Sequence, residues 1–173
     1  MVRPDEVEFE ALLHRRSRFV FRVAYSVLRN SHDAEDIVQE VFLKLYRNSA
    51  WREARDEQAF LARVTWRMAV DRLSKTTATI ESDDELASKV PDPEQAVIDS
   101  DWQSKIHRLI DSLPEELRQP LALSTIEELT SSEIARVVGV PEGTVRTRVL
   151  RARQLLREKI AALESKGYAA KRS

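Results

Sequence analysis

Residues Thr130 to Arg153 read TSSEIARVVGVPEGTVRTRVLRAR. Thr130 offers a hydroxyl at a helix start and Glu133 a carboxylate three residues on, the reciprocal arrangement that satisfies two otherwise orphaned backbone amides. A short helix therefore begins here and carries Ile134, Ala135 and Val138 inward. Gly139 supplies the permissive backbone that a tight turn needs. Pro141, whose φ is already helix-like and which has no amide to lose, opens the next helix. The stretch is a helix-turn-helix.

The second helix can be read by angle, each residue advancing about 100° around the axis. Val145, Val149, Ala152 and Leu156 then form one narrow apolar stripe. Opposite lies Thr147, with Thr144, Arg146, Leu150 and Arg151 to either side, while Arg148 and Arg153 sit on the flanks. Arginine forks pair with the guanine edge, threonine bonds a base or touches a methyl, and flanking arginines reach phosphates on the walls of a major groove. The other reading of the same residues is a solvated basic face on an ordinary amphipathic helix. The capped helix and glycine turn in front of it favour DNA.

Outward from this stretch, only three glycines and six prolines interrupt long runs of good helix formers in the 173 residues, and no strand pattern appears. The expected fold is all-α: two small helical domains, an N-terminal bundle and a C-terminal helix-turn-helix bundle, joined by a flexible acidic linker. Neither half has apolar stripes enough for a large core, so separately mobile lobes are expected rather than one block. The absence of cysteine excludes disulfides and thiolate metal sites and fits a reducing cytosol. No apolar run reaches membrane-spanning length and MVRPDEVEFE lacks a signal-peptide core. A cytoplasmic protein without membrane insertion is expected.

The net charge of −1 is a cancellation. From Pro141 to Ser173 nine Lys and Arg face three Glu, whereas from Glu81 to Asp99 seven acids face Lys89 alone. A polyanionic partner is therefore compatible with the near-neutral total.

In the first half, Phe9, Leu12, Leu13, Phe19, Val20, Val23, Ala24 and Val27 have helical spacing over about Asp5 to Leu28. Ser31 is placed to cap a second helix with Asp33, Glu35 and Asp36 in its first turn and Ile37, Val38, Val41, Phe42 and Leu45 inward. Its polar face, Asp36, Gln39, Glu40 and Lys44, is by pattern alone a solvated one. NSAWREARDEQ, from Asn48 to Gln58, breaks the periodicity as a loop that exposes Trp51. A third helix spans about Ala59 to Ser74, with Arg63, Arg67 and Arg72 outward. Trp66 in it is either core or a stacking platform, and core suits an aromatic at helical spacing better. After the acidic stretch, Val97 to about Ser112 reads as a helix, and Ser112-Leu113-Pro114-Glu115 begins another holding Leu117, Leu121, Leu123 and Ile126.

SHDAEDIVQEVFLKLYRN, FLARVTWRMAVDRL, DPEQAV, LPEELRQPLAL and EIARVVGVPEGTVRTRVLRARQLLR occur in this order along the chain. Together they make it resemble bacterial RNA polymerase sigma factors of the extracytoplasmic-function (ECF) group in the sigma-70 family, over nearly its full length. The resemblance implies a transcription initiation factor with residues 1–76 as a region 2-like domain, 77–96 as the acidic linker and 97–173 as a region 4-like domain. It implies that Asp36, Gln39 and Glu40 dock on the clamp helices of the polymerase's largest subunit. Trp51, Arg52, Arg63, Trp66 and Arg67 become candidates for capturing the unstacked strand of the −10 element, where aromatics and arginine suit single-stranded DNA. Thr144, Arg146, Thr147, Leu150 and Arg151 would read bases of the −35 element and Arg148 and Arg153 its phosphates. The chain departs from the family pattern at Trp66-Arg67, where an Arg-Asn pair is usual, and its basic cluster is reduced to Arg72 and Lys75.

The partners so implied are core RNA polymerase and promoter DNA, with an anti-sigma protein as a further one. A different class, a stand-alone helix-turn-helix regulator whose first half senses or dimerises, leaves DAEDIVQEVF unexplained. An enzyme has little support: His14, His32 and His107 are scattered, with no metal-ligand spacing or phosphate loop. No cofactor is expected.

Overall fold

The computed structural model describes residues 4–82, 105, 108–126 and 129–170. Among the described residues, six α-helices have both ends placed: α1 Pro4–Leu28, α2 Ser31–Asn48, α3 Glu57–Ser82, α4 Glu115–Ile126, α5 Ser131–Val138 and α6 Glu142–Ala170; residues 108–111 are helical as well. A 3-10 turn, Ala50–Glu53, separates α2 from α3, and no strand occurs among the described residues. Residues 83–100, which hold most of the expected acidic linker, and most of the helix expected from Val97 lie outside the described residues.

The helix ends have local causes. Arg29 takes a left-handed conformation, φ 53°, and its amide closes α1 on the Tyr25 carbonyl at 2.9 Å. That leaves Asn30, not Ser31, as the extended residue before α2, and the Asn30 side chain accepts from the Asp33 amide at 2.9 Å. Asp56 caps α3 in the same way, its carboxylate taking the Ala59 amide at 3.0 Å. At its far end α3 runs eight residues beyond the expected stop at Ser74, to Ser82. The hydroxyls of Ser74, Thr76, Thr77 and Thr79 each donate to the carbonyl four residues back, at 2.9–3.0 Å, so these polar groups are satisfied within the helix itself. Residues 77–82 of the expected linker are thus the end of a helix.

In the first half α1 packs on α2 and α3, burying Leu12, Phe19, Val20 and Val23 against Ile37, Val41, Leu45, Leu61 and Ala69. In the second half α4 and α5 both pack on α6, around Leu117, Leu121, Ile134, Val145 and Val149. The two halves also touch: α1 lies on α4 and α3 on α5. At the first junction Arg29 sits 4.6 Å over the Tyr25 ring and pairs with Asp111, its pKa pushed below the ordinary value by burial and by nearby Arg118. At the second, Phe60 and Val137 line one cavity of about 210 Å³. Separately mobile lobes were the expectation, because periodicity assigns each helix one inward face and cannot reveal that apolar residues of different halves meet.

Glu57, at the first turn of α3, ties α1 to α3. It accepts from Arg15 Nε at 3.2 Å and Arg16 Nε at 2.7 Å. The hydrogen bond from Arg15, with a further one from Arg16, outweighs burial and holds the Glu57 carboxyl below its ordinary pKa. A carboxylate with a depressed folded-state pKa contributes stability above its unfolded pKa and loses it as the pH falls through the folded value. Glu57→Gln should therefore be less stable than the parent by about 1 kcal/mol at neutral pH. The gap should close on acidification below the normal glutamate range. Urea unfolding of both proteins across that range checks it, and a pH-independent gap would show that the ion pairs contribute nothing.

Candidate DNA and polymerase interfaces

The helix-turn-helix is built as its sequence dictates. The Thr130 amide donates to Glu133 Oε2 at 2.7 Å and the Glu133 amide to Thr130 Oγ1 at 3.3 Å, closing the capping box. Gly139, at φ +73°, ends α5 with its amide on the Ala135 carbonyl at 2.9 Å. Pro141 then serves as the residue before α6, its carbonyl accepting from Val145 at 3.1 Å. Ile134 and Val137 are the buried residues of α5, with Ala135 and Val138 half-buried beside them. Val145, Val149 and Ala152 are buried and Leu156 half-buried, so the inner stripe of α6 is the expected one.

The opposite face is open. Arg146, Thr147, Leu150, Arg151 and Arg153 are exposed, and Thr144 and Arg148 half-buried. Leu150 is 65% exposed, an apolar group with no partner in the core and suited to a thymine methyl. Thr144, Thr147, Arg148 and Arg151 share a groove of about 370 Å³ with Glu116 and Leu117 of α4. Arg146 pairs with Glu142 one turn earlier, a partner the sequence reading passed over although the i, i+4 spacing was visible. Arg153 reaches Ser124 Oγ at 3.5 Å, too long to hold it.

On α2, Gln39 and Glu40 are exposed and Asp36 is half-buried. The acids are not bare. Arg72 of α3 donates to Asp36 Oδ2 at 2.8 Å and to Glu40 Oε1 at 3.1 Å, and lies 3.1 Å from Asp33 Oδ1. Burial lowers the Arg72 pKa, but the hydrogen bond to Asp36 and the three carboxylate charges outweigh it and hold it above the ordinary value. Arg72 was expected to point outward. It follows Ala69 by three positions and Thr65 by seven, both fully buried, so it stands on the inner side of α3.

The strand-capture candidates divide differently from the expectation. Trp51, expected to be exposed, is 5% exposed: the 3-10 turn folds it back onto α1, 6.2 Å from the Phe9 ring. Arg52 lies 5.2 Å over the same indole and bonds Asp5 at 2.9 Å. Trp66 is 9% exposed and belongs to the core, as its spacing favoured. Arg63 and Arg67, one turn apart, are exposed, and Arg63 borders the junction with α5. Among the described residues no cluster of His, Asp and Glu could hold a metal ion, and no helix is long and apolar enough to cross a membrane.

The Sigma-70 region 2 model matches residues 12–79 and the Sigma-70, region 4 model residues 103–156. The ECF RNA polymerase sigma factor SigW of Bacillus subtilis (strain 168) is 32% identical over 157 residues, 83% of this chain and 84% of that protein. The chain belongs to the ECF sigma factors. The ECF sigma-E factor of Escherichia coli (strain K12) is 32% identical over 166 residues, 84% of each protein. SigE of Mycolicibacterium smegmatis is 34% identical over 158 residues, 88% of this chain, and the chain spans 62% of that relative's length. Among solved structures, the sigma factor RpoE of Bartonella quintana, in complex with the anti-sigma factor NepR, superposes with a TM-score of 0.75, covering 89% of this chain and 97% of that one. CnrH, in complex with the cytosolic domain of CnrY, gives 0.63 over 89% and 88%. Both are 20% identical and show that the fold is shared. Members of the group are initiation factors that direct RNA polymerase to promoters.

Proposed function

We propose that the chain directs core RNA polymerase to its promoters through three separate surfaces. Asp36, Gln39 and Glu40 on α2 dock on the clamp helices of the largest subunit. Arg63 and Arg67 on α3 attract the unpaired strand of the −10 element, with Trp51 and Trp66 supporting them from the core rather than stacking on bases. On α6, Thr144, Arg146, Thr147, Leu150 and Arg151 read the −35 element while Arg148 and Arg153 hold its phosphates. The observation that carries this reading is the union, on one chain, of a region 2 match with a helix-turn-helix whose outward face is basic and open. The chemistry of RNA synthesis is left to the polymerase. A stand-alone regulator would account for α5 and α6 but for nothing in residues 12–79. An anti-sigma protein is a natural further partner, as the solved RpoE of Bartonella quintana carries one.

Adding the purified protein to core polymerase and sequencing the transcripts tests the whole. New start sites sharing two spaced elements are expected, and an unchanged transcript set would refute the reading. Within α6, alanine at Arg146, Thr147 or Arg151 should cost about 1–3 kcal/mol of promoter affinity and alter the preferred −35 base. Alanine at Arg148 or Arg153 should weaken all sequences alike and lower the salt slope by about one unit each. Titrating a promoter library with the holoenzyme at two salt concentrations separates the two groups. An unchanged base preference in Arg151→Ala would remove that residue from the reading set.

A further inference from the structure

Resting on the docking role of the α2 face, we propose that Arg72 belongs to that polymerase-docking surface as its positioning residue, and not to the DNA surface. The guanidinium reaches from α3 to α2 and holds Glu40 Oε1 with Nη1 and Asp36 Oδ2 with Nη2. Asp33, Asp36 and Glu40 stand three and four residues apart on one side of α2, where like charges repel. Without a common cation their side chains would turn away from one another into solvent. Arg72 draws them together and is itself only 28% exposed, so the point on which they converge is fixed by the packing of α3. Its bonds engage one oxygen of Asp36 and one of Glu40, which leaves the second oxygen of each to accept from an incoming basic group. A planar fork can hold two separated carboxylates at once; a lysine ammonium is a single point.

Simple charge counting makes the opposite forecast. Removing a cation leaves the face more negative, so a basic partner should bind more tightly. Positioning makes the loss of Arg72 harmful, because two mobile acidic side chains must then be ordered at the moment of docking.

The test is a binding titration of core polymerase with the full-length protein and its Arg72→Met and Arg72→Lys variants, alongside run-off transcription. Methionine keeps the aliphatic stem in place, so the bundle should fold, and circular dichroism with a thermal melt confirms it. Arg72→Met should bind core about tenfold more weakly, and Arg72→Lys should recover only part of the loss. In transcription, the half-saturating protein concentration should rise by the same factor while the plateau stays at the parental level. Equal or tighter binding by Arg72→Met overturns the proposal. A lowered plateau at saturating protein also overturns it, because the defect would then lie on DNA. If Asp36→Lys with Glu40→Lys binds core normally, the docking reading itself fails. If that pair loses binding while Arg72→Met keeps it, only the positioning role falls.

Discussion

Reversing Asp36 and Glu40 together to lysine should weaken binding to core polymerase by about a hundredfold or more. Each replaces an attractive contact with a repulsive one, and about 3 kcal/mol for the pair is modest for charges at an interface. The fold should survive with a small penalty. Both acids are more than a third exposed at their side chains, so their bonds to Arg72 contribute little individually, and the loss of the network should cost about 1 kcal/mol. Helix content by circular dichroism should be unchanged while the melting temperature falls slightly. Surface-immobilised core polymerase titrated at low and moderate salt gives the affinity. A double mutant that retains parental affinity at moderate salt would place the docking surface elsewhere on the chain.

The second large effect is on stability. Trp51 fills the space between α1 and the turn after α2, so Trp51→Ala should cost about 3–5 kcal/mol, the usual range for deleting a buried aromatic. In a half-molecule of three helices this is a large share of the total, and the first half should melt well below the second. Trp51→Phe keeps an aromatic in the same space and should leave −10 strand binding by the holoenzyme close to parental. The opposite pair of results, full stability in Trp51→Ala together with lost strand binding, would restore the indole to the DNA surface.

The helix-turn-helix was legible almost residue by residue because its determinants are local. A capping box, a glycine at positive φ and a 3.6-residue stripe all act within a few positions of one another, and Thr130, Gly139 and Val145 do in the structure what their spacing required. Trp51 was misread for a tertiary reason: nothing near it in sequence shows that Phe9 waits on another helix. Arg72 was misread because an arginine on an inner face is unusual unless acids lie opposite it, and Asp36 and Glu40 are more than 30 residues away. The end of α3 was misplaced because threonine and serine favour loops in general, while here their hydroxyls find carbonyls within their own helix. The division of the chain into surfaces for polymerase, strand and duplex came from family likeness, and periodicity alone had left the acidic face of α2 as a solvated one.

That same threonine-rich end of α3 has a mechanical side. Its last turn contains no basic residue to offset the negative pole of the helix. The final turns are therefore the cheapest part of α3 to unwind. A helical residue advances the chain by about 1.5 Å and an extended one by about 3.3 Å. Unwinding residues 77–82 would thus release about 11 Å of additional reach between the halves. That length is held in reserve while α1 rests on α4 and α3 on α5.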